Sequence, residues 1–282
     1  MKIKIKPQRK YHFSPLRYPG GKTSLLPFFD DILKKNCLYK GIFIEPYAGG
    51  AGSALSLLLL EKVENIVIND FDPAIYAFWK SLIFHSDKFI SKIKRIEINV
   101  EEWREQKKIY SNKKSSEFKL GFATFFLNRT NQSGIIEGGP IGGVSQEGKW
   151  KIDARFNKDK LIEKIKKISL YKDRITVLNM DGIKLASKYA KKKNVLIYLD
   201  PPYYMKGSLL YLNHYNEKNH LELANFLNKN KNLNWILTYD NVKQIKQLYT
   251  KRRSKKFSIN YSANKNIKGL EIMIFSDKIK IC

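Results

Sequence analysis

Short apolar runs that end in polar or glycine-rich residues punctuate this chain. Gly41 to Ile44 is apolar and closes at Glu45-Pro46; a glycine-rich turn and the apolar stretch Ser53 to Leu60 follow, which reads as strand, turn, helix. Asn65 to Ile68 predicts a second buried strand, closed by Asn69-Asp70. Val195 to Leu199 predicts a third, ending at Asp200-Pro201-Pro202, and Asn234 to Thr238 a fourth, ending at Tyr239-Asp240. Two β-rich runs near the end, Lys256 to Tyr261 and Leu270 to Phe275, flank a polar loop from Ser262 to Gly269 and predict an antiparallel hairpin.

Strands alternating with helices imply an α/β fold, a parallel sheet covered by helices on both faces. Its ligands then sit beyond the carboxyl ends of the strands, where the polar and glycine-rich residues just named are collected. The stretch 81–167 breaks this rhythm with helical segments and a glycine-rich, hairpin-like piece from Asn131 to Trp150. It reads as an inserted second domain, with 1–80 and 168–282 forming the first. No internal repeat is visible at solenoid periods.

Composition narrows the class. A chain of 282 residues, 43% hydrophobic with 16 Tyr and 16 Phe, can bury a full core. Its longest apolar run, Ala54 to Leu60, is far short of a membrane span, and the basic start Met1 to Lys10 lacks the apolar stretch of a secretory signal. Cys37 and Cys282 provide no disulfide framework, which fits a reducing, cytoplasmic setting. The net charge of +27 fits a nucleic-acid partner, because cationic side chains displace counterions from phosphates. Lysine bias explains part of it, for only nine of the 53 basic residues are Arg. His12, His85, His214 and His220 show neither metal spacing nor a triad pattern and are assigned no role; no metal site is read.

Three motifs carry chemistry. Glu45-Pro46-Tyr47-Ala48-Gly49-Gly50-Ala51-Gly52 lies between a strand and a helix, where glycines admit a ligand close to the backbone and the helix N-terminus offers free N–H groups. Asp70 ends the next strand, placed either to accept hydrogen bonds from both ribose hydroxyls of a nucleoside or to cap a helix. The dinucleotide pattern G-x-G-x-x-G is absent, which disfavours NAD. Asp200-Pro201-Pro202-Tyr203 closes a buried strand as a rigid loop without two of its backbone donors. An amino group on an aromatic base is a poor nucleophile because its lone pair is delocalised into the ring. A carboxylate and a proline carbonyl that accept its two N–H bonds favour the tetrahedral nitrogen that attacks a methyl group. Tyr203 beside them can stack on a base taken out of a duplex. In Arg17-Tyr18-Pro19-Gly20-Gly21-Lys22, a tight turn followed by a lysine can hold a carboxylate such as that of a methionine moiety.

In these three motifs, their order and the insertion, the chain resembles the Dam-type DNA adenine methyltransferases over nearly its whole length. The resemblance implies a Rossmann-like, S-adenosylmethionine-dependent methyltransferase sheet with an inserted target-recognition domain, acting at N6 of adenine in double-stranded DNA. By the same resemblance Tyr18, Lys22, Asp70 and Asp200 line the S-adenosylmethionine pocket, and Tyr47 to Gly52, with Pro46, form its glycine loop. Asp181 resembles a position that contacts the cofactor's adenine, though a loop cap suits it equally. The usual aromatic-x-Gly-x-Gly requires Gly at 51, where this chain has Ala51.

The insertion is the expected DNA reader. Arg129, Asn131 and Gln132 carry side chains that pair bidentately with purine edges, Gly138 to Gly143 is expected as a hairpin tip, and Lys149, Lys151 and Arg155 are candidate phosphate contacts. The expected partner is double-stranded DNA, met by a monomer, with a restriction endonuclease as a separately acting companion in a prokaryotic or phage setting. A cytosine-C5 enzyme needs a Pro-Cys nucleophile, which neither Cys37 nor Cys282 supplies. A cytosine-N4 enzyme, an RNA adenine methyltransferase and a non-catalytic DNA-binding regulator are the alternatives.

Overall fold

The computed structural model describes residues 12–17, 21–205, 215–261 and 267–281. In chain order α1 (Leu26–Lys35), β1 (Ile42–Glu45), α2 (Gly52–Leu59) and β2 (Asn65–Asn69) come first. The helices α3 (Pro73–Phe84), α4 (Ser86–Arg95), α5 (Val100–Ser111), α6 (Glu117–Thr130) and α7 (Lys158–Ser169) follow. β3 (Ile175–Leu178), α8 (Gly182–Tyr189), β4 (Val195–Leu199), α9 (Glu217–Lys229), β5 (Trp235–Asp240), α10 (Lys243–Leu248), β6 (Arg253–Tyr261) and β7 (Ile267–Phe275) complete the order. No helix among the described residues is long and apolar enough to cross a membrane.

The chain divides into two compact units. The first comprises Met1–His12, Gly20–Asp72 and Arg174–Cys282, the second Phe13–Pro19 and Pro73–Asp173. The change of unit therefore falls at Asp72/Pro73 and not after residue 80. The reason is α3, which is apolar almost all round and packs on α6. Gly121 of α6 makes this possible, since a Cβ there would lie 2.3 Å from the carbonyl oxygen of Ala77 on α3.

Unit 1 is built on a seven-stranded sheet of order β3-β2-β1-β4-β5-β7-β6. β3, β2, β1, β4 and β5 run parallel, β7 is antiparallel to β5, and β6 is antiparallel to β7. This is a Rossmann-like α/β sheet. The expected final hairpin is present as β6 and β7, while residues 262–266 of its loop lie outside the described residues. β4 (Val-Leu-Ile-Tyr-Leu) is buried at every residue, as a strand covered on both faces must be. One face packs Ile44, Val67, Ile197, Leu199, Trp235, Leu237 and Ile274 against Leu185 of α8, Leu223 and Leu227 of α9 and Ile245 of α10. Strand order reverses between β1 and β4, so the carboxyl ends of those two strands frame the crevice in which this architecture binds ligands.

Unit 2 is helical around an aromatic core of Phe78, Phe89, Phe122, Phe125 and Phe156. The expected hairpin between Asn131 and Trp150 is corrected. Among the described residues the stretch contains one isolated bridge, Asn131 with Pro140, followed by consecutive turns. Glycine is the cause: Gly134, Gly142 and Gly143 take φ of 78°, 88° and 77°, which folds the backbone back repeatedly instead of extending it.

Candidate active site

The glycine loop leaves β1 at Glu45 and enters α2 at Gly52. Gly49 adopts φ 45° and Ala51 adopts φ 46°, so both take the left-handed turn conformation. Ala51 thus stands where the backbone asks for glycine, at a cost of about 1 kcal/mol. Asn69 laces the loop in place: its amide donates to the carbonyls of Pro46 (2.8 Å) and Met180 (2.9 Å), and its oxygen accepts from the Met180 amide (3.0 Å). Asp70 holds the loop from the other side, one oxygen accepting from Gly49 N–H at 2.8 Å and the other from Asp72 N–H at 3.0 Å. Burial pushes the Asp70 carboxyl up to about 7, against those two amides, which pull it down. Each of its oxygens keeps a second lone pair for a ligand hydroxyl.

Asp200 follows β4 on the other side of the crevice. Its Oδ1 accepts from the hydroxyl of Thr238 on β5 at 2.7 Å, and its Oδ2 meets the Lys22 ammonium at 2.8 Å. Lys22 is 5% exposed and also donates to the Tyr203 hydroxyl at 2.9 Å, with Glu271 Oε2 at 3.6 Å. The Tyr203 hydroxyl donates in turn to Glu271 Oε1. Lys22, Tyr203 and Glu271 therefore close a ring that leaves the ammonium aimed at Asp200, whose side chain keeps 21% exposure. Asp240, at the end of β5, accepts from the amides of Tyr204 (3.1 Å) and Met205 (3.0 Å) and so fixes the turn after Pro201 and Pro202.

In this geometry the Lys22 ammonium is engaged by Asp200, Tyr203 and Glu271. Tyr203 is 5% exposed with its hydroxyl tied into the ring, so it does not offer an open face for stacking. Glu271, Thr238, Asn69 and Glu45 were not singled out from the sequence. The visible signal for Glu271 was an acid inside the apolar run Leu270 to Phe275. Glu45 is buried, has no hydrogen bond to Oε2, and is pushed up to about 8, chiefly by burial and further by Asp200, while Ala54 N–H, Ser53 and Lys22 pull it down.

Around the loop, Tyr47 packs its ring over Gly182, where a Cβ would lie 2.6 Å from the ring. Its hydroxyl meets that of Tyr215 at 2.6 Å. Asp181 caps α8, accepting from Lys184 N–H at 2.9 Å. Of its two expected roles the cap is present. A Cβ on Gly52 would lie 2.5 Å from Thr23 Oγ1, so this glycine lets the turn that bears Lys22 approach α2. Gly50 is buried in the same loop, and Tyr18 lies outside the described residues.

In unit 2, Asn131 is not a DNA contact as expected but fully buried. Its oxygen accepts from Trp103 Nε1 at 2.6 Å and its amide donates to the carbonyls of Ile135, Ile136 and Gly138. Arg129 does not stand free at a reading surface either. It donates to the carbonyl of Arg155, and burial, followed by the charges of Arg17 and Arg155, holds its guanidinium down to about 10. Gln132, Lys149 and Arg155 are exposed, and Lys151 is exposed while donating to the carbonyl of Gln146.

A carboxylate braced by a lysine beside two prolines, facing a glycine loop with an acid at the next strand end, suits group transfer to an amine. Comparison with known proteins agrees. Residues 18–266 match the model for D12 class N6 adenine-specific DNA methyltransferases. A type II methyltransferase, M.CviBI of Paramecium bursaria Chlorella virus NC1A, is 24% identical over 218 residues, covering 77% of this chain and 79% of that protein. The chain belongs to the D12 class of N6 adenine-specific DNA methyltransferases.

Proposed function

We propose that this methyltransferase modifies adenine at specific sites in double-stranded DNA with S-adenosylmethionine as donor, and that Asp200 and the Pro201 carbonyl hold the target amine. The observation that carries the reading is the fixed Asp200 carboxylate, gripped through separate oxygens by Lys22 and Thr238 at the strand-order reversal. Neither of those bonds exhausts the oxygen it uses, so a lone pair remains for one N6–H. The rigid Asp200-Pro201-Pro202 turn presents a carbonyl for the other. With both N–H bonds accepted, the nitrogen lone pair turns out of the ring plane and becomes nucleophilic. The alkylated nitrogen carries positive charge until it loses a proton, and the Asp200 carboxylate is the acceptor it already touches.

The residues present suit the donor. Gly49 to Gly52 leave a cradle with backbone N–H groups at the start of α2, Asp70 offers lone pairs for ribose hydroxyls, Tyr47 lies in the same loop after β1, and Asp181 follows β3. When bound, a sulfonium supplies an electrophilic methyl carbon. The viral relative's name places it among type II methyltransferases, and we extend to this chain the pairing with a separately acting restriction endonuclease.

Incubation of purified protein with duplex DNA and S-adenosylmethionine, followed by mass spectrometry of the digested nucleosides, tests this. N6-methyladenine is the expected product, and Asp200→Ala is expected to lower turnover by about a hundredfold or more while donor binding persists. N4-methylcytosine as sole product, or near-normal turnover in Asp200→Ala, refutes the assignment.

A further inference from the structure

Unit 2 gathers four cations with no acid among them. Arg17 lies in the segment 13–17, Arg129 in the last turn of α6, Arg155 at the end of the 3-10 turn Ile152–Arg155, and Lys164 on α7. Their placement is built. Asn128 accepts from Arg17 N–H at 2.7 Å and donates to the Arg17 carbonyl at 2.8 Å, which locks that segment beside the end of α6. Arg17 Nη1 donates to the Asn131 carbonyl at 2.8 Å, Arg129 to the Arg155 carbonyl, and Lys164 Nζ to the Ser14 carbonyl at 3.0 Å. All these acceptors are neutral main-chain oxygens. Among the described residues no carboxylate forms an ion pair with any of the four. Arg129 Nε is buried and donates to nothing.

Such a cluster is unfavourable as it stands, because burial and like charge both penalise the cationic form. The groups show it: burial, then Arg129, lowers Lys164 to about 8, and burial, then Arg155, lowers Arg17. Lysine-rich composition does not explain it, since three of the chain's nine arginines are here. What relieves it is an oxyanion, which supplies the missing negative charge and the acceptors that guanidinium forks match.

We propose that Arg17, Arg129, Arg155 and Lys164 form an oxyanion site that takes a phosphate of the DNA backbone. The proposal rests on DNA being the substrate, and it replaces base reading by Arg129 with positioning of the duplex. The cluster is kept at a cost in stability that binding repays, so removing a cation should separate the two properties.

The test uses Lys164→Met and Arg155→Met, the latter sparing the carbonyl that Arg129 needs. Duplex binding is titrated at several salt concentrations with a methylated-site sequence and a scrambled one, and melting is followed with and without inorganic phosphate at matched ionic strength. Lys164→Met without DNA is expected to melt at or above the wild-type temperature. Both variants are expected to bind both duplexes about tenfold more weakly, and in Arg155→Met the slope of log affinity against log salt becomes shallower by about 0.9. Unchanged affinity and slope in both variants overturn the proposal, as does a loss confined to one sequence, which marks base reading. A lower melting temperature of Lys164→Met with normal DNA affinity makes the cluster structural and overturns it too. Stabilisation of the wild type by inorganic phosphate, with duplex affinity intact in the variants, assigns the site to free anions and overturns the DNA source. Binding is read here without turnover, so a wild type that binds duplex yet leaves adenine unmodified strikes the methylation reading and not this site.

Discussion

At the scale of single residues, the active site concentrates acid around one ammonium. Asp200, Glu271 and Glu45 all interact with Lys22, and the two prolines keep the Asp200 turn from relaxing. Burial above all, with Asp200 adding to it, raises Glu45 to about 8, and burial raises Asp70 to about 7. A carboxyl raised in the folded state contributes stability that is complete below its unfolded value near 4. That contribution is lost as pH rises through the folded value. Wild-type stability is therefore expected to decline between about pH 5 and 8 from these two groups. Glu45→Gln keeps the shape, removes one titration, and should flatten that decline. Urea unfolding at pH 5, 7 and 9 checks it; parallel curves for variant and wild type would show that Glu45 stays ionised in the fold.

At the scale of elements, the strands were legible because each is a short apolar run stopped by a polar or glycine residue. β1, β2, β4 and β5 sit within a residue or two of their expected places. The residues at their carboxyl ends, Asp70 and Asp200, were legible for the same reason. Three features were not. The segment 131–150 looked like a hairpin because glycine reads alike in a hairpin tip and in serial turns, and φ decides between them. The packing of α3 on α6 depends on Gly121 in a helix whose apolar residues show no periodic face. Glu271 acts through register, since β7 brings it opposite Asp240 from a distant part of the chain. Gly121→Ala sets a methyl against a main-chain oxygen that cannot rotate away, and a loss of about 3 kcal/mol in unfolding free energy is expected. Glu271→Gln preserves an acceptor for Tyr203 but deletes the charge that steadies Lys22, so kcat should fall about ten- to a hundredfold through misplacement of Asp200. KM for DNA should move little, and Glu271→Asp should recover part of the loss. A rise in KM at constant kcat would make Glu271 a binding residue instead.

At the scale of the whole molecule, the question is how much of the +27 charge touches DNA. Twenty-six acids cannot neutralise 53 bases, and several of the pairs that do form, such as Lys40 with Glu61 and Lys167 with Glu163, are exposed and contribute little. Charge that merely surrounds a duplex at long range is screened within about a Debye length and releases few counterions, whereas each direct phosphate contact adds a fixed increment to the salt dependence. A specific methyltransferase should make about 6 to 10 such contacts, which corresponds to a slope of log affinity against log salt of about −5 to −9. Lysines scattered by composition would instead let several copies coat one duplex, with a steeper slope and no plateau at one protein per site. Fluorescence anisotropy on a duplex of about 20 base pairs, from about 50 to 200 mM salt, separates the two. Saturation at one copy with the shallower slope means that most of the surplus charge is background, and that the grip on the backbone resides in a minority of positions such as Arg17, Arg155 and Lys164. Coating with the steeper slope would mean that the charge itself is the principal grip on DNA.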